Sequence, residues 1–454
     1  MMDFNQARIA DMDRLIRSEI GRDNLAGANL LLLKDGRTLH RASYGMADKE
    51  KQIPMTDDTI FRIFSMTKPV ICAAAMLLVE RGVIDLSDPV EHYLPGFHGQ
   101  QVFLPGSTQT VPASRAVRLS DLLNMTSGLA YPDDCTSSGK AVAALFDEMT
   151  AAQDAGVSFS TVQLANRLGQ IPLAFQPGAH WMYGTSADVL GAVIEVASGM
   201  RLSSFLKQEL FEPLDMKDTD FYVPDAKKNR FAELYRCSEM SAASASALIK
   251  NNPERTSSAE ISPEGAAPLK TNAGDAVQKP AKGGVVDTLC SFSVYQSDKR
   301  MHIAPQPGKN LGMEGYDHAP SFESGGAGLV STIGDYAHFA TMLLQGGVWQ
   351  DRRILGKNTV SFLCSPQLSD TYAPDLNWDS LRGYRYGNLM RHLADPAAAG
   401  TNADMGEFGW DGWCGTYFTV SPKSNFIMLY FIQRCDAGCN EITRRLRNIA
   451  YSLV

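Results

Sequence analysis

The stretch "IFRIFSMTKPVICAAAMLLVERG", residues 60–82, decides how the chain is read. Residues 61–64 alternate as in a strand, and residues 68–79 continue as an apolar helix. Ser65 therefore stands near a helix N-terminus with Lys68 three residues on, and residues three apart share a helix face. A lysine so placed can take a serine's proton once burial lowers its ammonium pKa, while the first helical N–H groups face a developing oxyanion. Ser65 as a plain N-cap accounts for the same letters equally well. The S-x-x-K spacing recurs at Ser137/Lys140 and Ser204/Lys207. The first of these falls in the loop "DDCTSSGK" and the second inside an amphipathic helix, so only Ser65 follows a strand and heads a buried helix.

The 454 residues are 44% apolar and 20% charged, with 42 basic against 50 acidic side chains. That balance, with no basic cluster, excludes a nucleic-acid footprint and points to small-molecule partners. The N-terminal "MMDFNQARIADMDRLIRSEIGRD" predicts an amphipathic helix with Ile9, Met12, Leu15 and Ile16 on one face, not a secretory signal. The longest apolar run, residues 70–79, is far short of the roughly 20 residues a bilayer requires. A soluble cytoplasmic protein with no membrane span is expected. Eight cysteines at irregular intervals then default to reduced thiols. Cys435 and Cys439 have no second pair of ligands beside them, so neither a metal nor a cofactor is expected.

Residues 28–44 hold two runs around Lys34-Asp35-Gly36, a hairpin signal. "GTYFTVSPKSNFIMLYFIQ" repeats the pattern around residues 421–425, followed by the helical "NEITRRLRNIAYSLV". Both termini are thus expected to supply strands to one antiparallel sheet flanked by helices. The reading is an α+β fold, with a sheet domain from residues 1–90 and 325–454 and an inserted, mostly helical domain at 91–324. Helices within it take caps such as Ser120, and Ser331 caps a later one. Residues 238–284, rich in Ser, Ala, Pro, Lys and Glu, read as a surface insertion, largely disordered.

A second block, "FQPGAHWMYGTSADVLGAVIEVASG", places Tyr183 after a Pro-Gly turn and just before a helix starting around Ser186. With the S-x-x-K ahead of it, the chain resembles serine hydrolases of the class C β-lactamase and penicillin-binding-protein type, most closely the family VIII carboxylesterases. "LSDLLNMTSGLAY" and "SGGAGLVSTIGDYAHFATMLLQGG" extend the resemblance over most of the chain. It implies a β-lactamase/transpeptidase-like fold, Ser65 as nucleophile, and Lys68 with Tyr183 as its proton-transfer partners. The third block, "FGWDGWCGTYFTVSPKSN", is expected on the first strand of the C-terminal hairpin. There Trp410-Asp411-Gly412 stands where β-lactamases carry Lys-Thr-Gly, and the backbone N–H groups of Ser65 and Trp413 would form the oxyanion hole.

The chain departs from the lactamase pattern at Thr185, in place of an amide-binding asparagine, and at Trp410, in place of a carboxylate-binding lysine. Trp410, Asp411, Gly412 and Thr185 are the expected substrate contacts, with Asp411 adding negative charge unless it turns from the cleft. The reading that follows is a hydrolase of small esters through an acyl-Ser65 intermediate. Acyl transfer to an alcohol or amine, and β-lactamase or D-amino-acid peptidase activity, are the alternatives. Intact Ser65, Lys68 and Tyr183 argue against a non-catalytic binding module. The absence of G-x-S-x-G argues against an α/β-hydrolase.

Overall fold

The computed structural model describes residues 3–239, 301–305 and 311–454. Its centre is an antiparallel sheet of eight strands: β1 (Gly27–Lys34), β2 (Arg37–Asp48), β3 (Ile53–Pro54), β4 (Tyr384–Gly387), β5 (Met390–Leu393), β6 (Phe408–Asp411), β7 (Tyr417–Ser421) and β8 (Phe426–Phe431). They lie in the order β4-β5-β6-β7-β8-β1-β2-β3, so the first hairpin of the chain is zipped to its last strand. Asp35 and Gly36 turn the first hairpin with φ of 52° and 72°, the left-handed pair that a two-residue turn demands.

The runs "NLLLL" and "FIMLYF" lack the alternation of a half-exposed sheet because both faces are covered. Leu30, Leu32, Met428 and Tyr430 point to one face, where they meet the helices α1 (Phe4–Gly21) and α5 (Glu441–Tyr451). Met12 and Ile16 of α1 are fully buried there and Ile9 and Leu15 partly so, as the amphipathic pattern predicts. Leu31, Ile427, Leu429 and Phe431 point to the other face, onto a larger core with α2 (Thr67–Glu80), α3 (Ser186–Ser198) and α4 (Ile333–Leu344).

Two helix caps differ from expectation. Thr332, not Ser331, caps α4 by accepting from the Asp335 N–H, because Ser331 sits in the short strand Val330–Thr332 with its hydroxyl bonded to Thr219. The helix Leu119–Leu123 begins after Arg118, whose N–H is held by the Asp121 carboxylate, which leaves Ser120 inside it. Most of the expected surface insertion, from residue 240 onward, lies outside the described residues. The strands that flank residues 240–300, Tyr235–Glu239 and Met301–Pro305, pair antiparallel. Among the described residues no single helix is long and apolar enough to cross a membrane.

Leu446 on α5 is wholly buried against the sheet, so Leu446→Ala removes packing that no nearby side chain replaces. It should lower stability by about 2–5 kcal/mol, seen as a lower urea midpoint with an unchanged slope.

Candidate active site

Chain reversal at Ser65 is tight. The strand Ile60–Arg62 pairs with Val330–Thr332, and a single 3-10 turn, Phe64–Met66, then leads into α2. Phe64 adopts φ of 41° although it carries a bulky side chain, a left-handed strain of about 1–3 kcal/mol. Burial of its ring, set edge-on to Trp413 at 5.4 Å, holds it there. Met66, not Ser65, is the helix cap, and it makes no side-chain cap bond. Ser65 is therefore no structural cap. Its hydroxyl lies 3.0 Å from the Lys68 Nζ.

Lys68 is completely buried, and its Nζ also donates to the Tyr131 hydroxyl at 3.0 Å and to the Gly326 carbonyl at 2.7 Å. Burial brings its pKa down to about 7, opposed by the carboxylates of Asp188 and Asp411. A neutral amine keeps two N–H donors and one lone pair. With Tyr131 and Gly326 taking the donors, the lone pair is aimed at the Ser65 hydroxyl.

The Gly326 carbonyl is itself fixed. The Asp188 carboxylate on α3 accepts from the Gly326 N–H at 2.9 Å and from Ser324 at 2.5 Å. A side chain on Gly326 would collide with that carboxylate at 2.6 Å, so the "SGGAGL" segment needs glycine to lie against the helix.

Tyr183 is placed by the turn ahead of α3, with its ring 4.6 Å from the Lys68 Nζ. Burial pushes its phenol well above the usual range, with hydrogen bonding to Ser65 and Trp410 pulling the other way. Tyr183 is therefore a neutral phenol at rest. For both Lys68 and Tyr183 burial is the first cause of the shift, rather than the partner's charge.

Trp410 is buried on β6 and its indole N–H donates to the Tyr183 hydroxyl at 3.0 Å. An indole N–H can only donate, so the Tyr183 oxygen accepts there. Period-two alternation then sends the neighbouring side chain the other way. Asp411 leaves the cleft and pairs with the buried Arg391. Thr185 is fully buried, its hydroxyl donating to the Ala130 carbonyl at 3.3 Å. Of the four expected substrate contacts, Thr185, Trp410 and Asp411 are thus engaged by the protein itself. Gly412 serves close approach: a Cβ there would meet the Ile63 carbonyl at 2.4 Å, so glycine lets the end of β6 lie against the turn at Ser65. The next residue, Trp413, accepts from Ala437 and Gly438 through its carbonyl and holds Asp436 with its indole N–H at 2.7 Å.

Sequence reasoning missed two aromatic residues. Tyr131 ends the quoted "LSDLLNMTSGLAY" block, yet its bond to Lys68 spans 63 residues and has no local signal. Trp378 packs edge-on to Tyr183 at 5.1 Å and to Trp181 at 5.4 Å, giving the site a half-buried aromatic wall. Of the other S-x-x-K pairs, Ser137 does not lie in a loop as expected but opens the helix Ser137–Asp154, which Thr136 caps, and its hydroxyl donates to the Ser107 carbonyl; Ser204 and Lys207 are exposed. A cleft of about 620 Å³ between α4 and the first hairpin contains none of the catalytic candidates.

In the expected role of Lys68 as base toward Ser65, its amine must be neutral to receive a proton. Turnover should therefore climb about tenfold per pH unit below an apparent pKa near 7 and level off above it; a profile flat from about pH 5 to 8 contradicts this. Tyr131→Phe leaves a buried N–H of Lys68 without its acceptor. At about 1–3 kcal/mol, the acylation rate should fall roughly ten- to a hundredfold.

A family model described as Beta-lactamase matches residues 12–450. Esterase EstB of Burkholderia gladioli is 26% identical over 455 residues, covering 98% of this chain and 95% of its own. Among solved structures, EstCE1, titled a hydrolase with promiscuous acyltransferase activity, superposes with a TM-score of 0.69 at 21% identity over 98% of this chain and 99% of its own. Simvastatin synthase (LovD) from Aspergillus terreus gives 0.70 at 18% identity, over 100% and 99%. These two likenesses concern the fold.

Proposed function

Because the chain belongs to the beta-lactamase family of serine hydrolases, we propose that it cleaves small esters through an acyl-Ser65 intermediate. The observation that carries this is the contact between Ser65 Oγ and a buried Lys68 whose other two donors are already taken. Lys68 removes the Ser65 proton as the oxygen attacks the ester carbonyl. The N–H groups of Ser65 and Trp413 stabilise the resulting oxyanion; loss of one such donor raises a barrier by about 2.7–4 kcal/mol. Tyr183, with its oxygen held by Trp410, delivers a proton to the departing alkoxide, and water then repeats the sequence in reverse.

Ester rather than β-lactam chemistry follows from what surrounds Tyr183. Trp410 supplies a neutral donor where a lysine would supply charge, and it is spent on Tyr183. Thr185 is spent on a backbone carbonyl. Neither offers a handle to a substrate carboxylate or amide, whereas the half-buried Trp378 offers an apolar wall for a neutral acyl chain. EstB is named as an esterase, which supports the same direction. The partner proposed is therefore a small neutral ester.

Ser65→Ala should abolish both fluorophosphonate labelling and hydrolysis of p-nitrophenyl butyrate while the protein stays folded; activity near wild type would sink the reading. For the intact enzyme, kcat/KM on p-nitrophenyl butyrate should exceed that on nitrocefin by about a hundredfold, or roughly 2.7 kcal/mol at the transition state. Parity between the two substrates would point instead to a lactamase.

A further inference from the structure

Beneath the proposed oxyanion turn lie two thiols that the reaction does not use. Cys414 follows Trp413 directly, and Cys435 precedes Asp436, the residue that holds the Trp413 indole. Their sulfurs are 3.9 Å apart, the Cys414 thiol donating to Cys435, and both residues are buried. Cys435 and Cys439 are close in sequence at a C-x3-C spacing, yet the fold brings Cys435 to Cys414. The hydrogen bond from Cys414 lowers the Cys435 pKa and the guanidinium groups of Arg236 and Arg62 add to this, against the opposing effects of burial and of Asp436.

We propose that Cys414 and Cys435 are a redox-modification site, closed to a disulfide by a small peroxide, which lowers turnover by displacing the Trp413 turn. The Cys435 thiolate attacks one peroxide oxygen and becomes a sulfenic acid, with hydroxide leaving. The Cys414 sulfur then attacks the Cys435 sulfur, a disulfide forms, and the sulfenic oxygen leaves as water with the remaining thiol proton. In sum two thiols and one hydrogen peroxide give one disulfide and two waters. A small peroxide is the oxidant proposed because both thiols are buried.

Closing the bond draws the sulfurs from 3.9 Å to about 2.05 Å. Neither backbone is slack. The Cys414 carbonyl accepts from Arg434, and the Cys435 N–H donates to Tyr235 at 2.7 Å. Gly412 lies against Ile63 with no room for one added carbon. The strain therefore falls on the turn between Gly412 and Cys414, which carries the Trp413 N–H. This consequence rests on the oxyanion role of Trp413, whereas the chemistry of the thiols does not.

The test treats the whole protein with hydrogen peroxide, blocks remaining thiols, and maps peptides without reduction while following p-nitrophenyl butyrate hydrolysis. The expected result is a Cys414–Cys435 linked pair, with turnover down about tenfold or more and restored by dithiothreitol. A misplacement near 1 Å at a reacting centre has effects of that order or larger. Cys435→Ser and, as a second variant, Cys414→Ala should be active and resist peroxide, while Cys135→Ser should respond as wild type. The proposal is overturned by the absence of the linked pair, by a Cys435–Cys439 link in its place, by a linked enzyme of unchanged turnover, or by equal inactivation of the resistant variants. Protein that forms the pair on peroxide treatment but cleaves no ester before treatment counts against the Ser65 reading alone.

Discussion

Everything at the site depends on keeping an amine in the interior with its hold on the proton weakened. Lys68 lies in the larger core, where an isolated ammonium costs several kcal/mol to bury, and the fold answers with three polar contacts and a pKa near 7. Those contacts come from three separate segments: the turn at Ser65, the loop at Tyr131 and the glycine segment at Gly326. Each must be in register for the lone pair to meet Ser65. Asp188 extends the arrangement, holding Gly326 and opposing the loss of charge on Lys68. The amine is thus poised between its two forms rather than fixed in either.

The sheet supplies the rigidity that this poise requires. Strands β6 and β7 run buried between two cores, so the end of β6 is set by packing on both faces. One residue of β6, Trp410, faces the cleft and orients Tyr183, while the next, Asp411, turns to the opposite face and is neutralised by Arg391. Two adjacent side chains thereby serve different layers. Asp411 still reaches Lys68 through its field, although it does not line the cleft.

Local patterns were legible where the physics is local. The Asp35-Gly36 turn, the amphipathic face of α1, the strand before Ser65 and the helix after it each depend on neighbours a few residues apart. Alternation along β6 also carried a signal for Asp411, since a buried Trp410 commits the following side chain to the other face. The caps were less legible, because Ser331 and Thr332 are equally good capping residues and a tertiary bond from Ser331 to Thr219 decided between them.

By itself the sequence singled out Ser65, Lys68 and Tyr183 as the candidates, since the order and spacing of these blocks distinguish Ser65 from two other serines with the same motif. Tertiary structure alone decided what surrounds them. Tyr131 reaches Lys68 across 63 residues, Trp378 walls Tyr183 from a distant loop, and Cys414 meets Cys435 in preference to its near neighbour Cys439. Such contacts arise from packing the helical region and the C-terminal strands against one turn, and no short-range periodicity encodes them. The charge state of Lys68 belongs with them, because desolvation is a property of the assembled core and not of any stretch of chain.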